Sequence, residues 1–200
     1  SGGHTAVYLS ESVVSHRLMG RTIDDAAGEA FDKVAALLGL GYPGGPAIDR
    51  AARRGDARAI DFPRAMLDEG SLDFSFSGIK TAVLYYVKGQ NAAGRPELSD
   101  AEKADVAASF QAAVVDVLAA KLVAAAESQN VPRIAVCGGV AANSALRERL
   151  AAEAAARGFA FYVPPVALCT DNAATVAGLA FHKSGKVASD LAFDAYARAI

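Results

Sequence analysis

The sequence predicts an α/β fold, and three observations carry the prediction. The last third alternates apolar runs with helical stretches: "RIAVCGGV", "NSALRERLAAEAAARG", "FAFYVPP" and "DNAATVAGLAFHKSG" follow one another. One long helical pattern precedes them over residues 99–130. The 200 residues are 52% hydrophobic and 21% charged, enough to bury a sizeable core in one large domain or two small ones.

Each element has its own signal. "SGGHT" is a polar glycine turn entering a strand over residues 6–9, because paired glycines permit backbone angles and close approaches that a side chain blocks. Residues 16–23 form a second strand. Residues 24–40 then change to helical spacing, with Ala27, Phe31, Val34 and Leu38 as an apolar stripe and Asp25, Glu29 and Asp32 as a row of carboxylates on another face. Gly39 and Gly41 end this helix. In "YPGGPAID" Pro43 and the Gly44-Gly45 pair bend the chain and Pro46 suits the first turn of a new helix, whose leading amides are then free for a ligand.

Residues 50–64 are polar and rich in arginine. In "LDFSFSGIK" the alternation of Phe74 and Phe76 with Ser75 and Ser77 predicts a short half-buried strand. Residues 89–98, "GQNAAGRPEL", read as a mobile loop, since turn-forming and polar residues dominate without periodicity. Ser99 and Glu102 form a capping box that opens the long helix, with Val106, Phe110, Val114, Val117 and Leu118 on its buried side. Gly158 closes the following helix, and the apolar runs on either side of it read as parallel strands buried on both faces.

Composition narrows the function. A formal charge of −2 exerts no whole-chain pull toward nucleic acid, so RNA contact requires a local patch or a partner. Arg50, Arg53, Arg54, Arg58 and Arg64 are the one basic concentration, read as a solvated face or as an RNA or partner contact. Cys137 and Cys169 form no CxxC, which argues against a zinc ribbon or disulfide scaffold and for a reducing, cytoplasmic setting. No stretch reaches the roughly 18–20 uncharged apolar residues of a membrane span. The three histidines supply neither HxxxH nor HExxH, and no Ser-His-Asp or Cys-His set has a recognisable context.

Two motifs bear on ligands. In "VCGGVAANSALRERL" Gly138 and Gly139 end a strand and let a flat or charged ligand lie against the backbone, while Asn143 either hydrogen-bonds that ligand or only caps the next helix. In "CTDNAATVAG" Asp171 stands at a helix start, where a carboxylate is either a cap favoured by the helix dipole or one ligand of a metal.

In order and approximate spacing, "SGGHT", "IDDAAGEAFDKVAALLGLGYPGGPAID", "LDFSFSGIKTA", "CGGVAANSALR" and "CTDNAA" closely resemble the TsaD family of tRNA threonylcarbamoyladenosine transferases over nearly the whole chain. The resemblance implies the actin-like ATPase (ASKHA) fold, two α/β lobes with nucleotide in the cleft, of which residues 1–200 are mainly the second. It implies transfer of a threonylcarbamoyl group from threonylcarbamoyl-AMP to N6 of the adenosine 3′ of the anticodon, in tRNAs reading ANN codons. The implied partners are tRNA, the paralogue TsaB and the ATPase TsaE.

Ser1, Gly2 and Gly3 match the family's substrate loop, continued by His4 and Thr5. Asp32, Gly45, Asp49 and Asn143 match positions that hold an adenine nucleotide or threonylcarbamoyl-AMP. Asp171 matches a ligand of a divalent metal, Fe2+ or Zn2+, whose histidine ligands lie on an HxxxH helix that these residues lack. No covalent protein intermediate is required. The expectation is therefore a piece lacking the N-terminal lobe, inactive alone, with exposed surface that favours self-association. A small-molecule kinase of the actin-like group and a catalytically silent scaffold are the competing readings.

Overall fold

The computed structural model describes residues 3–65, 70–89 and 97–183, so Ser1, Gly2 and most of the loop expected over 89–98 lie outside the described residues. A hairpin opens the chain. Strand β1 (Ala6–Ser12) pairs antiparallel with β2 (Ser15–Arg21), with a register shift between Val7 and Tyr8; both reach further toward their shared turn than the sequence predicts, and β2 stops two residues short of the expected end at 23, where Thr22 turns to bridge Phe74. Helix α1 (Ala27–Leu37) is shorter than the 24–40 expectation, because Asp24 and Asp25 are used elsewhere. The backbone leaves the helix through Gly39 and Gly41, both at positive φ (67° and 86°), where a side chain is strained.

Helix α2 (Gly44–Ala52) follows directly, with Pro43 at its N-cap. The stretch before α3 (Ser77–Lys88) is not a strand. Phe74 makes a single parallel bridge to Thr22, and both Phe74 and Phe76 are buried, so the alternation of burial is real. One bridge is too little to make a sheet.

Helix α4 (Asp100–Ser128) opens with the expected capping box: the Glu102 amide donates to Ser99 Oγ at 3.3 Å and the Ser99 amide donates to the Glu102 carboxylate at 2.9 Å. Its burial differs from the expectation of one apolar side. Val106, Phe110, Val114 and Val117 join α1, α2, α3 and β1 in one core, while Val115, Ala119 and Ala126 join α5 (Ser144–Arg157) and β3 (Arg133–Ala135) in a second. A helix with a core on each side is apolar nearly all round. Phe110 packs edge-on against Phe31 of α1, ring centroids 5.2 Å apart. By length and composition α4 could cross a membrane, but 72% of its most apolar window is buried inside the protein, as in a core helix.

β3 pairs in parallel with β4 (Ala160–Tyr162) across α5, which ends at Gly158 in the left-handed conformation (φ 70°). These strands are not covered on both faces. Ile134 is buried and Phe161 half-buried, whereas Arg133, Ala135, Ala160 and Tyr162 are exposed. Helix α6 (Ala173–Lys183) closes the described chain with no buried residue, and Val176, Leu179 and Phe181 are exposed on it.

Candidate functional site

The helix starts of this protein are capped in two ways. For α4, α5 and α6 the cap comes from the adjoining residue: Ser99, Asn143, whose Oδ1 accepts from the Leu146 amide at 3.0 Å, and Asn172, whose Oδ1 accepts from the Thr175 amide at 3.0 Å. Asn172 therefore does the capping that the sequence allowed for Asp171, one residue earlier. For α1, α2 and α3 the cap arrives from far along the chain. Thr5 Oγ1 accepts from the Ala27 amide at 2.9 Å, Asp32 Oδ1 from the Gly44 amide at 2.7 Å, and Asp24 from the Phe76 and Ser77 amides at 2.8 and 3.2 Å. A helix N-terminus leaves its first amides unpaired, so each remote cap satisfies donors that the local sequence does not.

Asp24 also accepts from the hydroxyls of Ser75 and Ser77 at 2.5 and 2.7 Å. Burial pushes its carboxyl up, but these hydrogen bonds outweigh burial and hold it below the usual carboxylate range. Asp25 is likewise pushed up by burial and held lower overall by Lys33 and Lys80, each 2.8 Å away. Lys33 also pairs with Glu29 at 2.6 Å, so of the three carboxylates expected in a row, Asp25, which lies before α1, and Glu29 on it are both neutralised. Asp32 is the member of that row with no cation beside it among the described residues.

Asp32, half-buried, meets the start of α2 through Oδ1, and its Oδ2 has no hydrogen bond among the described residues. Gly44 has to be glycine: a Cβ there would lie 2.5 Å from Asp32 Cα. Gly45 has no such reason, since a Cβ would meet nothing within 4 Å and its φ is not in the left-handed region. One turn on, Asp49 Oδ1 accepts from the Ser144 amide at 3.2 Å and hydroxyl at 2.7 Å, and Oδ2 pairs with Arg53 at 3.1 Å. α2 is thereby tied to the start of α5. Asn143, buried beside Ser144, donates from Nδ2 to Gln111 Oε1 of α4 at 2.7 Å. The glycine turn before it carries Gly138 at φ 87° and a 3-10 turn over Gly139–Ala142, which touches α1.

Arg147 connects this cluster to the segment that bears Asp171. Its Nε donates to the Ala141 carbonyl at 2.6 Å, and Nη2 donates to the Pro164 carbonyl at 2.7 Å and lies 3.2 Å from Cys169 Sγ. Cys169 is buried at 3% exposure within an otherwise open stretch. Asp171 itself is exposed, and no three His, Cys, Asp or Glu side chains converge among the described residues. One carboxylate is one ligand, and tight divalent-metal sites fix several together, so these residues alone do not fit such an ion.

The structure thus joins Asp32 to Gly44, and Asp49 to Ser144 beside Asn143, while Arg147 leads on toward Asp171. Ser1 and Gly2 lie outside the described residues, and Gly3 is exposed in the opening turn. Sequence reasoning missed Gln111, Ser144 and Arg147. Gln111 had a signal, as a polar side chain in the most apolar part of a long helix.

Carboxylates and a carboxamide meet helix starts beside glycine turns here, in a lobe of mixed helix and sheet. The chain belongs to the TsaD family, with the actin-like ASKHA fold. The family model described as tRNA N6-adenosine threonylcarbamoyltransferase matches residues 1–178. Relatives bearing that description include one from Thermotoga neapolitana, 50% identical over 92% of this chain and 54% of the relative, and one from Syntrophotalea carbinolica, 50% identical over 98% and 56%. One from Bordetella pertussis is 53% identical over 88% of this chain and 51% of the relative. The chain spans about half the length of the curated relatives it matches.

Proposed function

We propose that the protein to which these residues belong transfers a threonylcarbamoyl group from threonylcarbamoyl-AMP to N6 of the adenosine 3′ of the anticodon, in tRNAs reading ANN codons. The observation that carries this reading is the match of the family model to residues 1–178. The polar cluster on α1, α2 and α5 supports it. N6 attacks the carbamoyl carbonyl carbon; the new C–N bond forms as the C–O bond to AMP breaks, AMP leaves with the electron pair, and the N6 proton is lost to water. In this reading the protein's residues bind and orient. The free oxygen of Asp32 and the carboxylate of Asp49 accept from ribose hydroxyls, Gly45 admits the nucleotide against the backbone, and Asn143 offers one donor and one acceptor.

Substrate binding by the glycine turn at Ser1, Gly2 and Gly3 belongs to the same proposal, as does a divalent metal, iron or zinc, with Asp171 as one ligand and the others supplied from outside these residues. TsaB and TsaE are its proposed partners and the cytoplasm its proposed location. A sugar or carboxylate kinase of the actin-like group shares the fold but not the family description.

The test is tRNA modification by the full-length protein with threonylcarbamoyl-AMP and the partner proteins, read by mass spectrometry of the nucleosides. Modified adenosine is expected, Asp49→Ala is expected to lower kcat/KM at least tenfold, and residues 1–200 alone are expected to give no turnover. Phosphorylation of a small molecule without any tRNA product overturns the reading.

A further inference from the structure

Helix α4 has an apolar core on each side, yet it carries Gln111 at 7% exposure, facing the N-cap of α5. A buried amide is costly unless it is hydrogen-bonded, and Gln111 Oε1 accepts from Asn143 Nδ2 at 2.7 Å. The orientation of the Asn143 carboxamide is decided by its other end. The Leu146 amide can only donate, so the atom 3.0 Å from it is oxygen and the nitrogen must face Gln111. Capping needs only that oxygen, and Ser or Asp would supply one equally well. The second contact, as it stands, uses the Asn143 amide nitrogen as donor, which neither Ser nor Asp has. It fixes the plane of the group and leaves one N–H and one lone pair of Asn143 without a partner among the described residues.

We propose that Gln111 is a positioning residue for the nucleotide site: it locks the Asn143 carboxamide in the orientation that presents its remaining donor and acceptor to the nucleotide. The inference rests on the nucleotide role given to Asn143 above. Gln111 touches no ligand itself. It acts through Asn143, from a helix whose burial keeps it rigid.

The test uses the full-length protein with Gln111→Met, of similar size but without the acceptor, and Gln111→Glu, which keeps an acceptor oxygen. AMP affinity by calorimetry, KM for threonylcarbamoyl-AMP, KM for tRNA and the thermal midpoint are measured on each. Gln111→Met is expected to weaken AMP binding and raise KM for threonylcarbamoyl-AMP about tenfold, the loss of one well-oriented hydrogen bond, with KM for tRNA unchanged. Gln111→Glu is expected to recover most of that loss. AMP affinity unchanged in Gln111→Met overturns the proposal, as does a Gln111→Glu variant that binds AMP no better than Gln111→Met. Should Gln111→Met not fold, Gln111→Glu is compared with the parent alone, and a tenfold loss of AMP affinity there counts against the proposal. Because AMP binding is read separately, failure to modify tRNA with the Gln111 effect intact would overturn the transferase reading and leave this one standing.

Discussion

Gly44 and Gly45 are neighbours with different reasons to be glycine. At Gly44 a Cβ would press on the backbone of α1, 2.7 Å from the Phe31 carbonyl oxygen, and neither helix can yield without opening the core behind Phe31. At Gly45 a Cβ would meet nothing within 4 Å among the described residues, so packing makes no demand there, and the proposed close approach of a nucleotide is what a side chain would disturb. Gly44→Ala is therefore expected to lower the unfolding free energy by about 1–3 kcal/mol, as at other overpacked sites, and with it the denaturant midpoint. Gly45→Ala is expected to leave stability unchanged or slightly raised while weakening AMP binding, which equilibrium unfolding and calorimetry on the two variants will separate. The sequence reads the glycine pair as a turn, whereas both residues form the start of α2 itself. Which glycine serves packing was not legible there, because that depends on how closely α1 approaches.

The helix starts show the same division at the scale of elements. The box of Ser99 with Glu102 is read correctly from sequence, and the cap at Asn143 is one of the two readings the sequence left open, because a local cap and the amides it serves lie within a few residues of each other. The caps of α1, α2 and α3 were invisible, since Thr5, Asp32 and Asp24 lie far along the chain from the amides they meet. Asp24 makes this testable. Its carboxyl titrates lower in the folded protein than in the unfolded chain, so the unfolded state takes up a proton first and stability is favoured above the unfolded value of about 3.9. That contribution is lost as pH falls through the lower folded value. Asp24→Ala should cost about 1–2 kcal/mol near neutrality, the range for a lost cap, and its stability should fall less steeply than the parent's below about pH 4 when urea unfolding is followed against pH.

At the scale of the whole molecule, the connection that matters is Arg147. The segment from Pro164 to α6 is largely exposed, and α6 buries nothing among the described residues, while one guanidinium holds Pro164 and Cys169 to the turn before Asn143. Arg147→Leu is expected to raise amide hydrogen exchange across residues 160–175 while protection in α4 is unchanged, since the two cores do not depend on that contact. Equal loss of protection in α4 would show instead that Arg147 supports the fold as a whole.

By itself the sequence determined the α/β class, the long helix and its cap, the left-handed exit at Gly158 and the order of motifs that marks the family, because each is written in neighbouring residues. Only the tertiary structure decided that α4 is buried nearly all round, that Phe74 and Phe76 flank a single bridge, that Asn172 rather than Asp171 caps α6, and that Gln111 meets Asn143. Those outcomes depend on what packs against each residue from elsewhere in the chain, and periodicity records the spacing of side chains along one element but not the surface that a second element brings to it.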